Sequence, residues 1–186
     1  MREFIRDLVN YFEVFNLPGI LGIDPGVLEK KFHELSRKYH PDFFTTSPAE
    51  DKQKALAMTS LLNDAYRTLR HPVRRVEYLL ELEGFKSDGS KVPKSFLMEM
   101  FEINEQVEEV KSGSATPAQV EAVRSDIESR AARFDAQIEK ESAEWDRLVN
   151  SHAPDADLKA QLSKLTEILS ESSYIRNLER DLEGTA

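Results

Sequence analysis

Four histidines are the first residues to weigh for chemistry: His33, His40, His71 and His152. No pair of them has the spacing of a metal site on a helix. There are no cysteines to supply thiolates for a metal, a cluster, a disulfide or a nucleophile. No glycine-rich phosphate loop is present. His40 and Asp42 could mimic a catalytic pair, but no nucleophile or pocket signal accompanies them. The chain is expected not to be an enzyme and to need no cofactor. What remains is Tyr39-His40-Pro41-Asp42 as a turn. Pro41 disfavours helical geometry at His40, so the preceding helix should end there. His40 and Asp42 then stand at the tip of a helical hairpin. Two readings are open on these residues alone: a turn that ends a helix, or a rigid histidine and carboxylate presented to another protein.

A second set lies in the other half of the chain. Phe96, Met100, Ile103, Val107 and Val110 follow the helical repeat of a core-facing stripe. At ~100° per residue, Leu97 and Phe101 project from the opposite side, with Met98 beside them. Glu102 and Glu105 share that second face. A helix with one core stripe should be polar there. Large apolar groups rimmed by carboxylates suggest a binding patch. The alternative is a helix buried on both faces.

The elements that must position these residues are all helical. Pro25, Pro48, Pro72, Pro93, Pro117 and Pro154 sit where helices should begin, because the first turn tolerates a missing N–H. Asp24 is a good cap before Pro25. Ser47-Pro48-Ala49-Glu50 and Thr116-Pro117-Ala118-Gln119 both have the form of a capping box. Leu28, Phe32, Leu35 and Tyr39 make an amphipathic stripe, as do Leu62, Ala65, Tyr66 and Leu69. Val76, Leu79, Leu80 and Leu82 make a shorter one. No period-two strand and no Asn-Gly hairpin is seen. The pattern predicts an all-α protein of roughly seven helices. Gly84 to Val92 is the best linker, dividing a first domain over 1–83 from a second over 93–186. The second should contain three helices near 93–111, 116–150 and 154–183, packed antiparallel across short loops.

Charge divides at the same place. Residues 1–92 carry 14 Lys and Arg against 14 Asp and Glu; residues 93–186 carry 11 against 20. The net charge of −9 therefore sits in the second half. That excess argues against a nucleic-acid partner, which needs Lys and Arg. It suits a partner with a basic surface, although acidity also serves solubility alone. Met1–Asn10 lacks the apolar run of a secretory signal, and Glu3 and Asp7 argue against a mitochondrial presequence. No stretch approaches a membrane span. The expected location is cytoplasmic.

The first half resembles a J-domain: a short first helix, an antiparallel hairpin bearing His-Pro-Asp in its loop, and a fourth helix. Tyr11 to Pro18, YFEVFNLP, is similar to that family's opening segment. Phe32 to Asp42, FHELSRKYHPD, is similar to its second helix and loop. Asn63 to Leu69, followed by Pro72, Arg75 and Tyr78-Leu79-Leu80, is similar to its third and fourth helices. By this resemblance Asp42 engages a basic residue on the ATPase domain of a DnaK-type chaperone, and His40 and Pro41 set the turn. Lys30 and Arg37 lie opposite the apolar stripe of their helix, and Lys31 and Lys38 lie on its flank. The resemblance makes this basic face the docking surface. Phe43 follows Asp42 where many J-domains have lysine.

General DnaJ proteins continue with a Gly/Phe-rich stretch and cysteine-rich zinc modules, and neither is in this sequence. Instead Ser95 to Glu102, SFLMEMFE, resembles a helix of HscB, the J-domain co-chaperone of iron–sulfur cluster assembly. Arg70 to Leu80, RHPVRRVEYLL, extends that resemblance. The absence of a cysteine-based zinc module fits a bacterial-type member. The resemblance implies an HscA-like ATPase as one partner and an IscU-like iron–sulfur scaffold as the other. It makes Leu97, Met98, Phe101, Glu102 and Glu105 the scaffold surface, with Tyr174 matching a further aromatic there. A J-domain protein serving another client is the alternative.

Overall fold

The computed structural model describes residues 10–85 and 93–183. These contain seven α-helices and no strand: α1 Tyr11–Val14, α2 Pro25–Lys38, α3 Ala49–Leu69, α4 Pro72–Leu82, α5 Lys94–Lys111, α6 Pro117–Asn150 and α7 Asp155–Glu183. A 3-10 turn, Pro41–Phe44, lies between α2 and α3. The all-α expectation holds, and the last three helices fall within a residue or so of their expected limits. The chain forms two compact units, Met1–Glu83 and Gly84–Ala186. Residues 86–92 of the expected linker lie outside the described residues, as do residues 1–9 of the amphipathic start.

Proline chemistry sets the helix starts. Pro25, Pro72 and Pro117 occupy the first helical position, while Pro48, Pro93 and Pro154 stand one residue ahead of it. The Asp24 carboxylate accepts the N–H groups of Gly26 (2.7 Å) and Val27 (3.0 Å), pairing two donors that helix geometry leaves open. The box at Thr116 forms in full, with Gln119 N–H donating to the Thr116 hydroxyl and Thr116 N–H to the Gln119 side chain. The box expected at Ser47 does not form. Pro48 keeps an extended ψ of 154° and becomes the cap, with no side-chain bond. Ser47 N–H instead closes the preceding turn on the Phe44 carbonyl (3.0 Å).

In the first unit α2 packs on α3 to make the hairpin. Phe32 stacks on Tyr66 with ring centroids 4.3 Å apart. Leu28, Leu62, Ala65 and Leu69 are buried, and Val76, Leu79 and Leu80 complete the core from α4. Leu82 departs from its expected stripe: it is exposed in the last turn of α4. Two cations hold the irregular segment between α1 and α2. Lys31 Nζ donates to the carbonyls of Phe15 (2.8 Å) and Asn16 (2.9 Å), and Asn16 has a φ of 47°. Buried Arg75 donates to the carbonyls of Leu21 and Leu69. Tyr11 N–H donates to the Tyr78 hydroxyl, and burial pushes that hydroxyl's pKa up.

In the second unit α5 lies against both α6 and α7. Phe96, Met100, Ile103 and Val107 interlock with Ile127 and Phe134 of α6 and with Ile175 of α7. Ile103→Ala should cost this unit about 2–5 kcal/mol, the range for a truncated buried aliphatic side chain, measurable by urea denaturation. Further along the α6–α7 hairpin, the Glu141 carboxylate is buried. The hydrogen bond from Lys164 (2.8 Å), then that from Gln161 (2.9 Å), holds its pKa below the usual range. At the α6–α7 turn His152 has a φ of 53°, in the left-handed region, and its N–H reaches the Val149 carbonyl (3.1 Å). Glycine adopts this helix-ending conformation without the Cβ clash. His152→Gly should therefore stabilise the second unit by about 0.5–1 kcal/mol, seen as a rise of a few degrees in melting temperature.

Candidate functional site

The His-Pro-Asp turn is built by three local constraints. Helix α2 ends at Lys38, and His40 takes the extended backbone (ψ 130°) that the following proline requires. The Thr59 hydroxyl of α3 lies within hydrogen-bond reach of the Tyr39 carbonyl (3.1 Å) as well as of its own helix's Ala55 carbonyl (2.9 Å), and so bridges the end of α2 to its neighbour. Asp42 N–H donates to His40 Nδ1 at 3.3 Å, and the same nitrogen lies 3.5 Å from the Asp42 carboxylate. Both side chains are exposed, at 54% for His40 and 83% for Asp42, so they can be reached by another protein. Pro41 is half-buried beneath them.

The basic residues of α2 do not form one uniform set. Lys30, Arg37 and Lys38 are exposed, and Lys38 leans over the Tyr39 ring at 5.2 Å. Lys31 is half-buried and committed to the Phe15 and Asn16 carbonyls. Its charge braces the first unit from within, which qualifies the docking role expected for it. Arg75, noted in the sequence only as part of a motif, makes the comparable brace from α4. Open carbonyls in the non-helical segment after α1 are the signal that could have pointed to Lys31, whereas Arg75 joins one of them, at Leu21, to the end of α3 at Leu69.

On α5 the two faces separate as helical geometry requires. Phe96, Met100, Ile103 and Val107 are buried, whereas Leu97, Met98 and Phe101 are 49%, 74% and 65% exposed. Glu102 and Glu105 are exposed beside them. Tyr174 behaves differently from this group. It is half-buried, edge-on to Phe96 at 6.1 Å, and its hydroxyl accepts a hydrogen bond from Asn104. Asn104 also donates to the Met100 carbonyl (3.0 Å), so Tyr174 is tied to the flank of α5 rather than free in solvent. Arg130 of α6 pairs with Glu99 and with Asp126 (2.8 Å), fixing α5 from the other flank. That pairing joins residues 31 apart and had no sequence signal.

Next to Arg130 a groove of about 260 Å³ is lined by Phe96, Glu99, Arg133, Phe134 and Glu171. Burial, then the neighbouring Glu167 and Glu99, pushes the Glu171 carboxyl up. Among the described residues no cluster of His, Asp and Glu could hold a metal ion. No described helix is long and apolar enough to cross a membrane. The arrangement offers two exposed features, the His40-Pro41-Asp42 turn on one unit and the apolar outward face of α5 on the other.

Comparison with known proteins gives that arrangement a family. Residues 92–183 match the model described as the HSCB C-terminal oligomerisation domain. The co-chaperone protein HscB homolog of Vibrio vulnificus (strain YJ016) is 36% identical over 135 residues, covering 71% of this chain and 72% of that protein. The homolog of Vibrio cholerae (strain ATCC 39541) is 34% identical over 142 residues, covering 74% and 83%. Among solved structures, the chaperone HscB from Vibrio cholerae aligns over 95% of this chain and 96% of that one, with a TM-score of 0.66 and 27% identity. The crystal structure of human co-chaperone protein HscB aligns over 95% and 81%, with a TM-score of 0.71 and 25% identity. Family match, relatives across both units and the shared all-α architecture agree: the chain belongs to the HscB co-chaperone family.

Proposed function

We propose that the chain stimulates the ATPase of a DnaK-type, HscA-like chaperone and delivers an IscU-like iron–sulfur scaffold to it for cluster transfer. Residues 1–83 act as the J-domain, 84–92 as a linker and 93–186 as the scaffold-binding domain. His40, Pro41 and Asp42 form the contact with the ATPase, Asp42 meeting a basic residue there. Lys30, Arg37 and Lys38 steer the approach, and Lys31 contributes to the local field while bracing the unit. Leu97, Met98 and Phe101 form the apolar centre of the scaffold surface, Glu102 and Glu105 its charged rim, with Tyr174 alongside. Hydrolysis of ATP belongs to the partner, and the cluster is cargo held by the scaffold. The chain needs no cofactor of its own, binds no nucleic acid and works in the cytoplasm.

The observation that carries this proposal is the outward face of α5. Three large apolar side chains stand in solvent there although the same helix buries Phe96, Met100, Ile103 and Val107 on its other face. Exposed apolar clusters of this kind mark protein contacts. The test is co-precipitation of the full chain with a purified iron–sulfur scaffold and, in parallel, with a denatured general client. Retention of the scaffold alone is the expected result. Retention of the denatured client alone would leave a J-domain co-chaperone with a different client.

A further inference from the structure

The 3-10 turn after His40 has three residues per turn, so its first and fourth members eclipse one another. Pro41 and Phe44 hold those positions and both are half-buried. The two residues between them are therefore the outward pair, and they are Asp42 and Phe43. Phe43 is 70% exposed. It is not a loose side chain on a loose loop. Its N–H donates to the His40 carbonyl (3.0 Å), and its ring meets the His40 ring edge-on at 6.1 Å. The turn thus offers a carboxylate and a phenyl ring at successive exposed positions on one hydrogen-bonded support.

We infer that Phe43 is an apolar anchor for the ATPase partner, seated in a hollow beside the cation that Asp42 engages. The inference rests on the proposed docking of this turn on a DnaK-type chaperone. Asp42 and Phe43 divide the work by chemistry. The carboxylate supplies a charge contact that salt weakens. The ring supplies burial that salt does not weaken, which lets the turn select a partner surface having both features. Partners whose cation lacks a neighbouring apolar hollow are bound less well.

The experiment measures steady-state ATPase of the purified DnaK-type chaperone against increasing full-length chain, at low and at high salt. The variants are Phe43→Ser, Phe43→Leu and, as a control for the docking proposal, His40→Gln. Phe43→Ser should raise the half-maximal concentration about tenfold, as loss of an interface anchor does, and leave the plateau unchanged. The ratio of that concentration to wild type should be the same at both salt concentrations. Phe43→Leu keeps an apolar group and should stay within about threefold of wild type. An unchanged half-maximal concentration for Phe43→Ser overturns the inference. So does a lowered plateau at unchanged half-maximum, because the ring would then act only by orienting His40. If His40→Gln stimulates normally, the docking proposal fails and the role of Phe43 falls with it. A normal Phe43→Ser beside an inactive His40→Gln removes only the anchor.

Discussion

Replacing Leu97, Met98 and Phe101 together with alanine is expected to weaken binding of an IscU-like scaffold by well over tenfold and to leave the melting temperature nearly unchanged. Interface energy concentrates in a few apolar or aromatic anchors, each costing about 2 kcal/mol or more when truncated, and about 1.4 kcal/mol is a tenfold change. The three side chains are exposed in the free chain, so their removal opens no cavity. The stripe on the reverse of α5 stays intact, with Met100 and Val107 each only 1% exposed. Calorimetric titration against the scaffold measures the first effect, and thermal unfolding followed by circular dichroism measures the second. A triple variant that unfolds would mean the outward face is packed against something in solution. One that stays folded and binds like wild type would place the client surface elsewhere, leaving only the chaperone half of the proposal standing.

The second large effect is expected at the turn. His40→Gln or Asp42→Asn should abolish stimulation of the partner's ATPase while the helical circular dichroism stays that of the wild type. Neither residue belongs to the core, and both face solvent. Asp42→Asn keeps the shape of the side chain and removes the charge that would meet a cation. His40→Gln removes the ring whose Nδ1 accepts the Asp42 N–H and whose edge meets Phe43. Salt should act on wild type through Lys30, Arg37 and Lys38, since exposed charges are screened beyond ~8 Å at physiological ionic strength. The concentration for half-maximal stimulation should therefore rise with salt. Normal stimulation by either variant would sink the role given to this turn.

Helix placement was legible in the sequence because its signals are local. A proline with a capping side chain acts within one turn, and Asp24 and Thr116 behave as their neighbours dictate. Ser47 shows the limit of that logic. Its pattern matches the capping box, but the competing closure of the Pro41–Phe44 turn uses its N–H and leaves Pro48 extended. The two faces of α5 were legible for the same local reason, since a helix fixes the angle between successive side chains. Tyr174 was not, because its burial depends on meeting Phe96 and Asn104 from a distant helix. Lys31 was only partly legible. Helical angle places it on the flank of α2, yet the carbonyls that bind it belong to a segment some 15 residues earlier.

The carboxylates on α5 bear on concentration as well as on affinity. An exposed cluster of leucine, methionine and phenylalanine is adhesive toward any apolar surface, another copy of the same chain included. Closing two copies face to face would set like patches against each other, as a twofold contact does. Glu102 and Glu105 of one molecule would then confront their counterparts, in a half of the chain carrying 20 acidic residues against 11 basic ones. Juxtaposed like charges suppress the wrong pairing, whereas a surface with a basic border meets no such penalty. In colloidal terms these glutamates are a charge barrier around a sticky spot. On the proposed scaffold-binding reading, they would hold the cluster open in a crowded solution until a surface of the opposite sign covers it.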